Sequence, residues 1–422
     1  MSKLEKYRWD AYNCIRCSNC KWVDPIWMQS QRFARICPIN VRHHFDVYSG
    51  QGLLDFTYGK LYGMLDYTPR LLDSLYKCTL CGACDIMCKR NLDLEVIETI
   101  EELRAQAYED KKGPPKPIKA QIEAIRREGN PWGKPRRQWD HWSRGLKVKR
   151  LGKEKAPVLY YTGCKTPYTP ELQTVARNVV NILNKAGVDF GILAQDEVCC
   201  GLPAYAAGDR EVAASTAAGN IDAFNRLGVS QVIVSCADCY GMLKGRYPAF
   251  GQPKYEVLHV VELFDRLIGE GKLKIKQPLN MKVTYHDPCF LGRRGEKYIG
   301  WEGTHGHFGL PDPPREYNKG THGIYEPPRN ILKALGVELV EMERIRENAW
   351  CCGAGAADTT RTAYPDFALW TAAERLEEAE ATGAEALVTA CPYCEDIFRA
   401  AVTENGYRLQ VLDVVELLAR AI

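Results

Sequence analysis

Two apolar runs in the second half of the chain, APVLYY ahead of Cys164 and MKVTY ahead of His286, have the length of buried strands. Each is followed by a helical stretch that ends at a glycine, VVNILNKAGV in the first case and NILKALGV in the second. A short strand then leads to Cys-Cys-Gly, within DFGILAQDEVCCG and ELVEMERIRENAWCCG. A further helix and strand end on Cys-x-x-Cys, within GVSQVIVSCADC and GAEALVTACPYC. The copies close with near-identical segments, VLHVVELFDRLI (257–268) and VLDVVELLARAI (411–422). In the second of these, Val414, Val415, Leu417, Leu418 and Ile422 recur at helical spacing.

The chain is therefore an internal repeat, each copy reading strand–helix–strand–helix–strand–helix. That order predicts an α/β fold with a parallel sheet covered by helices in each copy. In such sheets the loops at the carboxyl ends of the strands share one edge, where ligands bind. Every cysteine group of a copy falls at a predicted strand end, so residues distant in sequence are expected to converge. We expect Rossmann-like modules at 156–275 and 276–422, preceded by a mostly α-helical module over 1–110. Between them, 111–155 holds KKGPPKP, NPWGKPRR and KVKRLGKEK, which predicts an extended basic connector or a docking strip for an acidic partner.

Composition narrows the function. The net charge of +3 on 422 residues gives no reason to expect nucleic-acid binding. No run of about eighteen apolar residues marks a membrane span. MSKLEKYRWDAYNC has neither an apolar signal core nor a twin-arginine pair, so a cytoplasmic location is expected, with any membrane association supplied by partners. The 18 cysteines are the outlier. In a long chain of this kind, Cys-x-x-Cys spacing points to metal rather than to a disulfide scaffold.

The first eight read C14-x2-C17-x2-C20 with a distant Cys37-Pro38, and C78-x2-C81-x2-C84-x3-C88. Thiolates are soft ligands suited to iron–sulfur clusters or zinc, but zinc sites usually pair two Cys-x-x-Cys knuckles. In bacterial ferredoxin motifs, three close cysteines hold one cube and the fourth ligates the other. On that rule Cys14, Cys17, Cys20 and Cys88 hold one cubane [4Fe–4S] cluster, and Cys78, Cys81, Cys84 and Cys37 a second. Two departures stand out: sixteen residues separate Cys20 from Cys37, and Lys89 rather than proline follows Cys88.

With both halves read, the chain resembles the CCG-domain iron–sulfur proteins of the heterodisulfide reductase group, in the form where a ferredoxin-like module precedes two CCG domains. It is also similar to the electron-transfer subunit of class II benzoyl-CoA reductase complexes. The first CCG motif is C-x34-CC-x35-C-x2-C and the second C-x61-CC-x38-C-x2-C, lengthened by an insertion at about 298–328. The resemblance implies up to two non-cubane [4Fe–4S] clusters. One would be held by Cys164, Cys199, Cys200, Cys236 and Cys239, the other by Cys289, Cys351, Cys352, Cys391 and Cys394. It implies partner subunits carrying flavin or iron–sulfur centres, an anaerobic setting, and a disulfide or thiol as candidate substrate. Phe290 and Ala356-Ala357 depart from the family pattern beside the second motif.

Among other residues, His286 is a candidate proton donor, with Asp287 beside it; the alternative is a histidine that bonds its loop or tunes a cluster through sulfur. Arg293 and Arg294 are expected as ordinary surface arginines, with contact to an anionic substrate as the alternative. His305, His307, His322 and Tyr325 lie in the insertion, expected as a solvated loop or a lid over the second centre. GAGAAD (353–358) lacks dinucleotide-loop spacing, so no flavin or nicotinamide is expected on this chain. The leading function is electron transfer within a multi-subunit redox complex. Alternatives are a disulfide-reducing catalytic subunit, the iron–sulfur subunit of a glycolate, lactate or glycerol-phosphate oxidising system, and a zinc scaffold.

Overall fold

Most of the first eight cysteines sit in loops between short helices. The computed structural model describes residues 2–296 and 299–422; Tyr298, which opens the predicted insertion, and the His307 side chain lie outside the described residues. Helix α1 (Arg8–Tyr12) precedes Cys14, and α2 (Gly50–Leu61) starts where the Ser49 hydroxyl accepts from the Gly52 N–H. Helix α3 (Pro69–Lys77) begins with proline and is capped by Thr68, which accepts from the Leu71 N–H. Helix α4 (Ala83–Cys88) carries two of the cysteines, and α5 (Val96–Glu109) buries Val96, Ile97, Ile100 and Leu103 beneath them.

The segment 111–155 is not the extended connector expected. It contains helix α6 (Lys116–Glu128), and Trp139 and Trp142 are fully buried. Ile118, Ile122 and Ile125 form a buried stripe at helical spacing whose lysine and arginine neighbours face out. Its end, β1 (Lys149–Arg150), pairs with the first sheet.

The first repeat consists of β2 (Val158–Tyr161), α7 (Pro170–Lys185), β3 (Phe190–Ile192), α8 (Arg210–Leu227), β4 (Gln231–Val234), β5 (Glu256–His259) and α9 (Val260–Gly269). Its strands run β1-β3-β2-β4-β5, all parallel. The second consists of β6 (Lys282–Tyr285), α10 (Glu326–Ala334), β7 (Glu338–Leu339), α11 (Pro365–Glu380), β8 (Ala386–Thr389), α12 (Pro392–Asn405), β9 (Gln410–Asp413) and α13 (Val414–Ala421). Its parallel order is β9-β8-β6-β7, so β7-β6-β8-β9 repeats β3-β2-β4-β5.

Each repeat has a strand beyond the expectation. The closing segments are strand then helix, joined without a loop at His259 and Asp413. Each side chain accepts from the helix N-terminus while Glu262 or Glu416 reaches back to the cap's own N–H. An unbroken apolar run disguised that boundary.

The insertion also differs from a lid over the second centre. A short antiparallel pair, Thr304–His305 with Pro311–Asp312, leans on the N-terminal module. His305 stacks on Trp9 with ring centroids 3.9 Å apart, and Arg315 forms a buried ion pair with Glu95. Nearer the repeat, the Tyr325 hydroxyl donates to the Gly320 carbonyl at 2.7 Å, and the Gly320 and His322 N–H groups donate to Glu296.

Candidate metal centres

The two Cys-x-x-Cys-x-x-Cys loops fold alike. Arg16 and Ser18 in the first, and Leu80 and Gly82 in the second, take left-handed φ between 55° and 75° at matching offsets. These turns curl the backbone at matching places in the two loops. All 18 cysteines are free of disulfides, and only Cys17 is exposed.

Cys88 reaches back to the first loop. Burial pushes its thiol up, and the charges of Cys20 and Cys14 add to the shift. Cys20 is likewise raised by burial, to about 11, with Cys14 and Cys17 as neighbours. Cys37, at the N-terminus of the short helix Pro38–His43, is raised by burial and lies among Cys20, Cys78 and Cys81. Cys84 is raised by burial beside Cys78, Cys37, Cys81 and Cys20. The structure thus brings together 14/17/20/88 and 37/78/81/84, the two groups adjoining through Cys20.

In the repeats, the carboxyl ends of central strands deliver the thiols. Cys164 follows β2 and Cys236 follows β4; Cys289 follows β6 and Cys391 follows β8. Cys164 Sγ stands 3.7 Å from Cys199 Sγ, and Cys199, Cys200, Cys239 and Cys236 are neighbours in turn. In the second repeat Cys351, Cys352, Cys394 and Cys391 are linked in the same way, with Cys289 beside Cys351 and Cys352. The glycine of each Cys-Cys-Gly is structural. Gly201 and Gly353 adopt φ of 89° and 98° and donate their N–H groups to Cys199 Sγ and Cys351 Sγ at 3.4 Å.

Two further thiol contacts join the groups. Cys81 neighbours Cys351, and Cys236 neighbours Cys391 across the module boundary. Burial opposes charge on Cys391, yet hydrogen bonds from Cys236, Cys394 and the backbone amides of Tyr393 and Cys394 at the start of α12 hold it well below the usual thiol range.

Buried cations surround these thiols. Arg293 donates to the carbonyls of Cys81 (2.7 Å), Glu347 (2.9 Å) and Ala349 (2.6 Å); Arg294 donates to the Leu80 carbonyl at 2.6 Å and pairs with Glu101. The buried pair is therefore committed to holding the second cysteine loop against the second repeat, which corrects the expectation of surface arginines. Arg104, missed in the sequence, donates to the carbonyls of Leu75, Cys78 and Ala206.

His286 is buried, with its ring beside Cys352 and Cys394 and its Nδ1 accepting from Arg375 Nε at 3.3 Å. Burial and then the Arg375 charge push it down to about 3, so the ring is neutral with its proton on Nε2. Burial pushes Asp287 up, but Arg329, bonding both its oxygens, holds it below the usual carboxylate value. Sequence reading also missed Lys165 and Tyr393. Lys165 Nζ bridges Asp358 and Asp396 at 2.7 Å each, and the Tyr393 hydroxyl stands 3.5 Å from Cys164 Sγ, so both tie the repeats together at the thiols. Their only signal was adjacency to cysteines 164, 391 and 394.

A soft, disulfide-free donor set, buried and gathered in fours and fives, fits iron–sulfur clusters. Comparison with known proteins agrees. The 4Fe-4S dicluster domain matches residues 10–92, and the CCG cysteine-rich domain matches 158–244 and 316–399. The second CCG match starts within the insertion and leaves Cys289 outside it. The chain is 29% identical to EtfAB:quinone oxidoreductase of Syntrophomonas wolfei over 100% of its own length, and spans 60% of that relative. It is 29% identical to one of the subunits of the dihydromethanophenazine:CoB–CoM heterodisulfide reductase of Methanosarcina mazei, covering 97% of this chain and 93% of the relative. It is 30% identical to a probable iron-sulfur-binding oxidoreductase, FadF, of Bacillus subtilis, covering 85% of this chain and 49% of that one. Among the described residues, no helix is long and apolar enough to cross a membrane.

Proposed function

The chain belongs to the CCG-domain iron–sulfur proteins, as an electron-transfer subunit related to that of the methanogen heterodisulfide reductase, and from that premise we propose an internal route for its electrons. Cys14, Cys17, Cys20 and Cys88 hold a first cubane cluster, and Cys37, Cys78, Cys81 and Cys84 a second. The five cysteines of each repeat hold a non-cubane [4Fe–4S] centre. When bound, these groups supply one-electron carriers. The chain's own part is to fix their spacing, exclude water and offset their charge. One observation carries the reading: thiol neighbours run from Cys14 and Cys20 through Cys84, Cys81, Cys351, Cys352, Cys394, Cys391 and Cys236 to Cys239.

The route supports electron transfer from a partner subunit through the cubanes to the second repeat and then the first, in a heterodisulfide reductase-like complex of the cytoplasm of an anaerobe. A second reading, reduction of a disulfide, is favoured by the repeats facing each other at Cys236 and Cys391. In either case His286, neutral and aimed among thiols, serves to tune the second centre through an N–H to sulfur rather than to deliver a proton.

The test is rapid-freeze electron paramagnetic resonance after photoreduction of the anaerobic protein. Cubane signals should rise first and the centres of the repeats should follow. A Cys78→Ser/Cys84→Ser variant whose repeats are reduced at the unchanged rate would exclude the route. Turnover of simple disulfides and heterodisulfide by the same preparation separates catalysis from conduction.

A further inference from the structure

Every large hydrophobic side chain that stands exposed among the described residues lies within residues 12–65 or 299–310. The rest of the described residues expose none of that class. Several exposed groups of the N-terminal module gather on one face. Asp55 and Tyr58 on α2 and Tyr62 at its C-cap occupy one stripe. Arg16, from the loop between Cys14 and Cys17, reaches that stripe through its 2.8 Å ion pair with Asp55. Tyr12 meets Tyr58, and Tyr58 meets Tyr62, with ring centroids 5.7 and 4.5 Å apart. An open groove of about 410 Å³, walled by Phe45, Phe56, Leu65 and Leu71, continues from Asp55. Ile15 and Leu65 stand 66% and 53% exposed, and Cys17 is the one exposed cysteine, so an apolar face adjoins the most accessible thiol of the chain.

The charges on this face are largely spent on one another. Arg16 pairs with Asp55, Arg8 with Glu5, Lys21 with Asp46 and Lys60 with Asp66. Little net charge remains to steer a strongly charged partner or to hold an anionic lipid surface. A contiguous apolar patch of this extent marks an interaction site.

We propose that this face docks a separate redox protein that presents an apolar patch of its own and brings its electron carrier against the Cys14–Cys17 loop. The inference rests on the reading of Cys14 and Cys17 as cluster ligands. Apolar burial supplies the affinity, and the exposed loop supplies the short path that electron exchange requires.

The test uses the full, cluster-loaded chain in anaerobic extract of its native host, with a photo-crosslinking amino acid at Tyr62 or, as a control, at Lys254. The Tyr62 position should capture a protein that contains a flavin, haem or iron–sulfur group, and the control position should not. With that protein purified, reduction of the clusters should slow at least tenfold in Met64→Asp/Leu65→Asp, should change less than twofold between low and moderate salt, and should leave reduction by dithionite unaltered. Capture only of a second copy, only of lipid, or only of proteins without a redox group would overturn the proposal, as would an unaffected rate in the variant. Iron and sulfide content, measured on the same preparations, tells failure of the docking face from failure of the ligand assignment.

Discussion

Single residues decide how tightly the thiol groups are held. Gly353 takes a φ of 98°, and an added Cβ would meet the Ala368 carbonyl and the Thr371 side chain. Gly353→Ala should destabilise the chain by roughly 1–3 kcal/mol in a denaturant titration, whereas Gly406→Ala, with open space around it, should cost about 1 kcal/mol. Arg293→Leu strands three buried carbonyls and should cost at least about 3 kcal/mol in the same measurement. His259 provides a pH signature. Burial pushes it from 6.5 down to about 4, so between those values the unfolded chain binds a proton that the folded chain refuses. Its contribution therefore makes stability fall as pH drops from about 6.5 towards 4, by roughly 1.4 kcal/mol per unit. His259→Asn keeps a helix cap and should flatten that slope; an unchanged slope would show that His259 does not titrate as its burial implies.

At the scale of elements, the repeat was legible because fully buried strands leave short apolar runs, and Cys-Cys-Gly and Cys-x-x-Cys mark their carboxyl ends. What stayed hidden had physical causes. In α6 the buried Ile118, Ile122 and Ile125 are diluted by outward lysines and arginines, so prolines and charge dominated the reading of 111–155. The boundaries β5–α9 and β9–α13 have no loop, because His259 and Asp413 end a strand and cap a helix at once. The burial of Arg293 and Arg294 depends on contacts more than 200 residues away in sequence, to Cys81 and Leu80. The insertion's role follows from its stack on Trp9 and its ion pair with Glu95. Trp9→Ala should free it, raising amide hydrogen exchange across 299–316 while stability falls by about 1 kcal/mol. Unchanged exchange there would show that the stack does not hold the insertion.

On this reading the molecule as a whole is a conduit whose three parts interlock at their thiols. The N-terminal module meets the second repeat at Cys81 and Cys351, and the repeats meet at Cys236 and Cys391. Such tight joints leave little scope for hinge motion between the parts and suit a fixed route better than a moving carrier. The shared requirement is that the cysteines carry iron and sulfide. The most direct measurement is iron, acid-labile sulfide and zinc in protein purified without oxygen. Four centres predict a brown preparation with about sixteen iron and sixteen sulfide per chain and negligible zinc. A colourless protein with free or disulfide-linked thiols, or one loaded with zinc, would contradict the account.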